Sequence, residues 1–135
     1  MTQAPTRQPR VVLVDDDAGV LVAFRRLLQP RCEVVGCVAG GDEAVDAART
    51  LRPDVMVVDL MMPQMDGLEV CRRVKLAAPG TAIVIVTAFD DVQMRRIALQ
   101  AGAAAFVPKH SVATTLERMI ERICSRKRDT QEEGA

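Results

Sequence analysis

The sequence predicts an α/β fold: five parallel strands in one doubly wound sheet, held between two helix layers, in (βα)5 order. Three observations predict it. Short uninterrupted apolar runs recur along the chain, as strands covered on both faces require. Amphipathic helical stretches separate those runs, and such alternation implies right-handed crossovers and parallel pairing. Four of the five runs lead into an ionisable or hydroxyl residue, at the sheet edge where folds of this class bind ligands.

The first run, Val11-Val12-Leu13-Val14, enters the acidic stretch Asp15-Asp16-Asp17. Over residues 18–29, Val20, Phe24, Leu27 and Leu28 share a helical face, and Pro30 helps to end the helix. A second strand over 33–38 runs into Gly40-Gly41. Asp42 stands where a cap is wanted for a helix reaching Leu51, with Ala44, Val45 and Ala48 inward and Pro53 at the exit. The third strand, Val55-Met56-Val57-Val58, ends at Asp59 and a loop over 61–67 follows, where Asp66-Gly67 reads as a turn. Leu68, Cys71 and Val74 form the inward stripe of a third helix to Ala77, punctuated by Pro79-Gly80. The fourth strand, over 82–86, precedes Thr87, and Asp90 and Asp91 are N-cap residues for a helix stopping near Gly102. The fifth strand, over 104–107, precedes Lys109. A last helix over 112–125 carries Val112, Leu116, Met119, Ile120 and Ile123 inward. Residues 1–9 and 126–135 read as polar tails around one domain over 10–125.

Composition excludes several classes. Eighteen basic and 18 acidic residues cancel, so no overall field would hold the chain to nucleic acid. No apolar stretch approaches the ~18 residues needed to cross a bilayer, and the first nine residues lack a signal-peptide core. Cys32, Cys37, Cys71 and Cys124 have no C-x-x-C spacing, which predicts reduced thiols, mostly core fillers, in a cytoplasmic protein. His110 is the single histidine, which leaves little room for a histidine-based metal site or triad.

The residues at the strand ends carry the chemistry. Taken singly, each has a plain structural role: acidic runs cap helices, and a Thr or Lys after a strand is commonly solvated. Taken together, three carboxylates at one edge repel one another unless a cation neutralises them. Hard oxygen donors with few protein contributors suit Mg²⁺. Asp59 has the chemistry of a nucleophile able to form an acyl phosphate, while a cation, Lys109 and the Thr87 hydroxyl could neutralise and orient a phosphoryl group. The second strand ends Val38-Ala39-Gly40 with nothing ionisable, as a strand away from the crevice would.

Val12-Leu13-Val14-Asp15-Asp16-Asp17, the stretch from Val57-Val58-Asp59 through Met65-Asp66-Gly67, Val86-Thr87-Ala88 and Phe106-Val107-Pro108-Lys109 resemble, in order and spacing, the landmarks of bacterial response regulator receiver domains. The resemblance spans about residues 10–124. It implies a flavodoxin-like sheet in the order 2-1-3-4-5. It implies phosphorylation of Asp59 by a histidine kinase or phosphotransfer protein, with Asp15, Asp16, Asp59 and the Met61 backbone carbonyl holding Mg²⁺. It also implies that Thr87 and Lys109 contact the phosphoryl group and that Phe106 occupies the switch-aromatic position. Asp17 receives no such role and is read as a cap or solvated acid.

Departures from the family pattern matter too. Phe106 lacks the hydroxyl of the Tyr often found there, and His110 stands where many members have Pro, so a trans peptide is expected. Phe106-Val107-Pro108-Lys109 is similar to receivers joined to helix-turn-helix domains, yet only a short segment follows the last helix. A stand-alone or an excised receiver is expected. Met61 and Phe89, each two residues past a site residue, could shield the phosphoryl group from water.

The resemblance further implies that phosphorylation draws Thr87 toward the phosphoryl oxygens while Phe106 rotates into the vacated space. That would repack the face made by the fourth helix, fifth strand and fifth helix. Arg95, Arg96, Glu117, Arg118, Glu121 and Arg122 are candidates on that face for a downstream protein, an effector domain or a homodimer. No direct nucleic-acid or membrane contact is expected. Two other readings stay open here: a receiver-shaped binding module indifferent to phosphate, and a metal-dependent phosphohydrolase using the Asp15-x-Asp17 spacing.

Overall fold

Each apolar run becomes a strand. The computed structural model of the chain describes residues 7–89 and 91–133, with side chains as far as residue 127. The elements are β1 (Arg10–Val14), α1 (Ala18–Leu28), β2 (Glu33–Val38), α2 (Gly41–Leu51), β3 (Val55–Asp59), α3 (Gly67–Ala77), β4 (Ala82–Thr87), α4 (Val92–Gln100), β5 (Ala105–Pro108) and α5 (Val112–Glu133). All pairings are parallel, in the order β2-β1-β3-β4-β5.

Side chains alternate along the strands with period two, so the sheet divides its apolar residues between two cores. Val12, Val14, Met56, Val58, Ile83, Ile85 and Phe106 meet α2, α3 and α4 through Ala44, Ala48, Val70, Val74 and Ala98. Val11, Leu13, Val55, Val57, Val84 and Val107 meet Leu28 of α1 and Leu116 and Ile120 of α5. The stripes read from helical spacing are mostly the packed ones, with two corrections. On α1, Leu21 rather than Val20 joins Phe24, Leu27 and Leu28 against the core. On α3, the fully buried Val70 joins Cys71 and Val74, while Leu68 is only partly covered.

Two local expectations are corrected, and one turn is added. Asp42 does not cap α2: Gly40 is the N-cap residue, without a side-chain bond, and Asp42 lies in the first turn, where its charge faces the helix dipole. Lys109–Ser111 forms a 3-10 turn before α5, its Ser111 hydroxyl donating to the Pro108 carbonyl. The last helix does not stop near Ser125 but continues to Glu133, through the segment read as a polar tail. That segment holds no Gly or Pro before Gly134, and polarity alone does not end a helix. Lys127 fastens the extension by donating to the Asp54 and Gly80 carbonyls. Asp91 caps α4 through the Gln93 N–H, as anticipated, whereas Asp90 lies outside the described residues. Of the first tail, residues 1–6 lie outside them as well; Arg7 pairs with Asp54 at 3.0 Å and the Pro9 carbonyl accepts from the Glu33 N–H.

One close approach sets the loop after β3. Gly67 opens α3 with its N–H on the Leu60 carbonyl, and a Cβ there would stand 2.6 Å from the Asp59 carbonyl oxygen and 2.9 Å from the Leu60 Cα. Backbone cannot yield as a side-chain tip can. Gly67→Ala should cost about 1–3 kcal/mol, measured as a lower urea midpoint at unchanged slope. Leu116→Ala, which empties a fully buried site under α5, should cost about 2–5 kcal/mol in the same assay.

Candidate functional site

Parallel register decides which strand ends meet. Val14 pairs with both Val38 and Val58, so the next residues, Asp15 and Asp59, emerge side by side. Asp59 pairs with Val86, and Thr87 with Pro108, which sets Thr87 and Lys109 each one step further along the same edge. β2 is the sheet's edge neighbour of β1 and contributes no ionisable group there.

Asp15 is held from three sides. Its N–H donates to the Val38 carbonyl at 3.1 Å, and its Oδ1 accepts from the Asp17 N–H at 2.9 Å. Its Oδ2 is buried and makes no hydrogen bond. The Lys109 ammonium stands 3.4 Å from that oxygen, close enough for an ion pair but not aligned as a hydrogen bond, and 3.6 Å from Asp59 Oδ1. Asp59 Oδ1 also accepts, at 3.4 Å, from the Met61 N–H. Carboxylate oxygens of Asp15, Asp16 and Asp59 all lie within 4.8 Å of one another, with Asp16 exposed and the other two buried. Asp17 takes no part in this group; it caps α1, accepting from the Gly19 and Val20 N–H groups.

Electrostatics decides what this group can do. Two charges about 4.8 Å apart at an effective dielectric near 20 interact by roughly 3 kcal/mol. Three such repulsions face two close attractions from a single ammonium, so an excess of negative charge remains. Burial raises the Asp59 pKa, the Asp15 charge raises it further, and Lys109 and the Met61 N–H only partly oppose them. An orphaned buried carboxylate oxygen beside two more hard donors fits a small divalent cation held by few protein ligands.

The remaining residues differ in placement. Thr87 is fully buried, and its Oγ1 accepts from the Phe89 N–H at 3.1 Å, which leaves the hydroxyl proton available to donate. Phe106 is already buried in the α4-side core, with the Arg95 guanidinium 5.6 Å above its ring centre. Met61 and Phe89 are exposed, at 58% and 61%, in the loops after β3 and β4. Sequence reasoning missed Arg95 over Phe106, because no local pattern announces a contact between a helix and the edge strand. It also missed Gly67, whose requirement comes from the strand it touches.

A family model for the response regulator receiver domain matches residues 11–121. The chain belongs to the response regulator receiver domains. Response regulator MprA of Mycobacterium tuberculosis strain H37Rv is 38% identical over 126 residues, covering 93% of this chain and 54% of that protein. The receiver domain thus spans about half the length of the curated relatives it matches. Among solved structures, the receiver domain of the response regulator NarL from M. tuberculosis superposes with a TM-score of 0.83 at 30% identity, covering 90% of this chain and 98% of that one. The response regulator domain of Thermotoga maritima CheB gives 0.80 at 29%, covering 87% and 96%. Receiver domains are signalling switches, and the phosphohydrolase reading is not favoured: Asp17, the acid it required, is the α1 cap. Among the described residues, no helix is long and apolar enough to cross a membrane.

The crowding at Asp59 gives a prediction with a definite sign. A carboxyl whose folded pKa is raised contributes stability that is present at low pH and lost as pH rises through that pKa. In EDTA at neutral pH, Asp59→Asn should therefore raise the melting temperature by a few degrees. The gain should shrink as pH falls below the carboxylate range, and a neutral-pH midpoint below wild type would contradict it.

Proposed function

We propose that Asp59 of this receiver domain accepts a phosphoryl group from a histidine kinase or phosphotransfer protein. The observation that carries the reading is the buried Asp59 carboxylate with Asp15 beside it and the Lys109 ammonium at 3.6 Å. One Asp59 oxygen attacks phosphorus, the P–N bond of the donor imidazole breaks, and the departing nitrogen takes up a proton. The product is a mixed carboxylic–phosphoric anhydride, so the transfer needs positioning and charge neutralisation more than acid–base chemistry.

Asp15, Asp16, Asp59 and the Met61 carbonyl would hold Mg²⁺, which, when bound, supplies positive charge against the phosphoryl oxygens. Lys109 neutralises a phosphoryl oxygen from the other side, and the Thr87 hydroxyl donates to one. Met61 and Phe89, exposed in the flanking loops, screen the anhydride from attacking water.

Readout follows from the same groups. A phosphoryl dianion adds interactions with Thr87 and Lys109 that the free carboxylate lacks, and only such a difference can shift a two-state equilibrium. Because Phe106 is already packed inward here, the shift passes through Thr87 and the Phe89 loop to α4, and through Lys109 to α5. The recipient is an effector domain or a separate downstream protein in the cytoplasm. A reading as a phosphate-indifferent binding module, to which Phe106 and His110 lend weak support, is not favoured, since the acidic set, Thr87 and Lys109 are all in place.

Exposure to acetyl phosphate and Mg²⁺ should add one phosphoryl group by mass, and Asp59→Asn should remove it. Lys109→Ala should slow the uptake about tenfold or more. A wild-type chain that stays unmodified by acetyl phosphate and by every kinase tried defeats the proposal. Replacing Met61 and Phe89 together with polar residues should shorten the phosphorylated lifetime; an unchanged rate removes their shielding role.

A further inference from the structure

The end of the sheet opposite Asp59 holds a second concentration of charge, of the other sign. A cleft of about 480 Å³ lies there, among the last turns of α2 and α3 and the loops that lead into β3 and β4. Ala48, Pro53, Ala78 and Pro79 give it an apolar lining, and the exposed Arg49 and Arg52 line it too. Neither guanidinium has a hydrogen bond or ion pair among the described residues. Asp54 is the one carboxylate in the lining, and both of its oxygens are engaged. Its Oδ1 accepts from the Arg7 guanidinium at 3.0 Å and its Oδ2 from the Arg10 N–H at 2.8 Å. The loop carbonyls are taken as well. Pro53 accepts from the Thr81 hydroxyl, Asp54 and Gly80 from Lys127, and Pro79 and Thr81 from Lys75. Acceptors are thus spent, and the groups left unmet are donors. Burial lowers the Lys127 pKa, Asp54 opposes this, and the Lys75 and Arg7 charges add to the lowering, as crowded cations do. Arg52 also sits at a φ of 46°, at the left-handed C-cap of α2 where glycine is the usual occupant. Such strain concentrates at ligand clamps and active sites.

We propose that this cleft binds a small organic phosphate of about nucleotide size, its phosphate on Arg49 and Arg52 and its apolar body on the alanine and proline lining. Planar guanidiniums offer paired N–H donors that match phosphate oxygens. The volume falls in the usual range for small-ligand clefts. A cation is the poorer fit, because the carboxylate and the loop carbonyls already have donors. An added peptide strand is poorer still, since β3 and β4 are interior strands with no free edge. Asp54 and Asp59 stand at opposite ends of β3, about 16 Å apart at the usual rise of a parallel strand. The cleft is therefore separate from the acidic cluster, and its ligand does not depend on phosphorylation of Asp59.

The test follows the backbone amides of the full chain by two-dimensional NMR, in EDTA, as AMP, adenosine or inorganic phosphate is added. AMP should shift the amides of Arg52, Ala78, Gly80 and Thr81 saturably and leave those of Met61 and Phe89, at the other end of the sheet, in place. Adenosine and inorganic phosphate should each bind about tenfold more weakly or worse, since each engages only part of the cleft. Arg49→Ala should weaken AMP about tenfold. Arg52→Gly separates ligand from fold: it should weaken AMP to a similar degree while raising the urea midpoint, because the left-handed strain is relieved. Shifts confined to the Met61 and Phe89 loops, AMP affinity unchanged in both variants, or adenosine bound as tightly as AMP would each overturn the proposal. Vesicles of phosphatidylcholine and phosphatidic acid should not sediment the chain. Sedimentation that Arg52→Gly abolishes, with no response to AMP, would overturn the soluble ligand in favour of a lipid headgroup.

Discussion

Mutual repulsion among carboxylates that the backbone will not let separate is the constraint on which this molecule turns. Asp15 and Asp59 follow directly upon Val14 and Val58, which are hydrogen-bonded neighbours in adjacent parallel strands. Neither can retreat without unzipping the sheet, whose strands at that point are almost wholly buried. The Asp17 N–H occupies one Asp15 oxygen and the Met61 N–H approaches one Asp59 oxygen, yet a buried Asp15 oxygen is left without a hydrogen bond. One ammonium, from Lys109, is too little charge for three acids. The fold thus holds an unmet demand for positive charge at the end of its sheet, the kind that a small divalent cation can satisfy.

The same arrangement provides routes outward. Thr87 lies at the end of β4, and its hydroxyl is bonded to the Phe89 N–H in the loop that leads to α4. Lys109 opens the short turn from which α5 starts. Phe106, between them on β5, packs beneath Arg95 of α4. A change in charge at Asp59 therefore acts on groups at the roots of both helices bordering β5. Local hydrogen bonds and one ring contact suffice for this; no long chain of couplings is needed.

Much of the architecture was legible in the residues. Apolar runs too short for helices, each followed by an amphipathic stretch, left little besides a doubly wound parallel sheet. The strand limits read from them differ from the observed ones by about one residue, within the ordinary uncertainty of such boundaries. Failures came where one signal had to stand for another. Asp42 looked like a cap because acids favour caps, but Gly40 adopts the extended conformation that the N-cap needs. The polar stretch after Ser125 looked like a tail because polarity often marks one, although it lacks any residue that stops a helix. Read from the chain, Glu117 and Glu121 group with the arginines of α4 and α5 on one face, yet both pair with Arg31 in the loop after α1, a contact that no local spacing announces.

The sequence by itself determined the kinds of groups available and their place at the ends of strands, because strand periodicity and helix spacing are local properties of the chain. From these alone came the fold class, the acidic set, Thr87 and Lys109, and the resemblance that named the chemistry. Tertiary structure decided everything that depends on distance between segments remote in the chain: which carboxylate oxygen is orphaned, where the Lys109 ammonium reaches, how Gly67 lies against β3, and that Phe106 is covered by Arg95. Those facts arise from strand register and from the packing of helices on two faces, neither of which any short stretch of residues encodes.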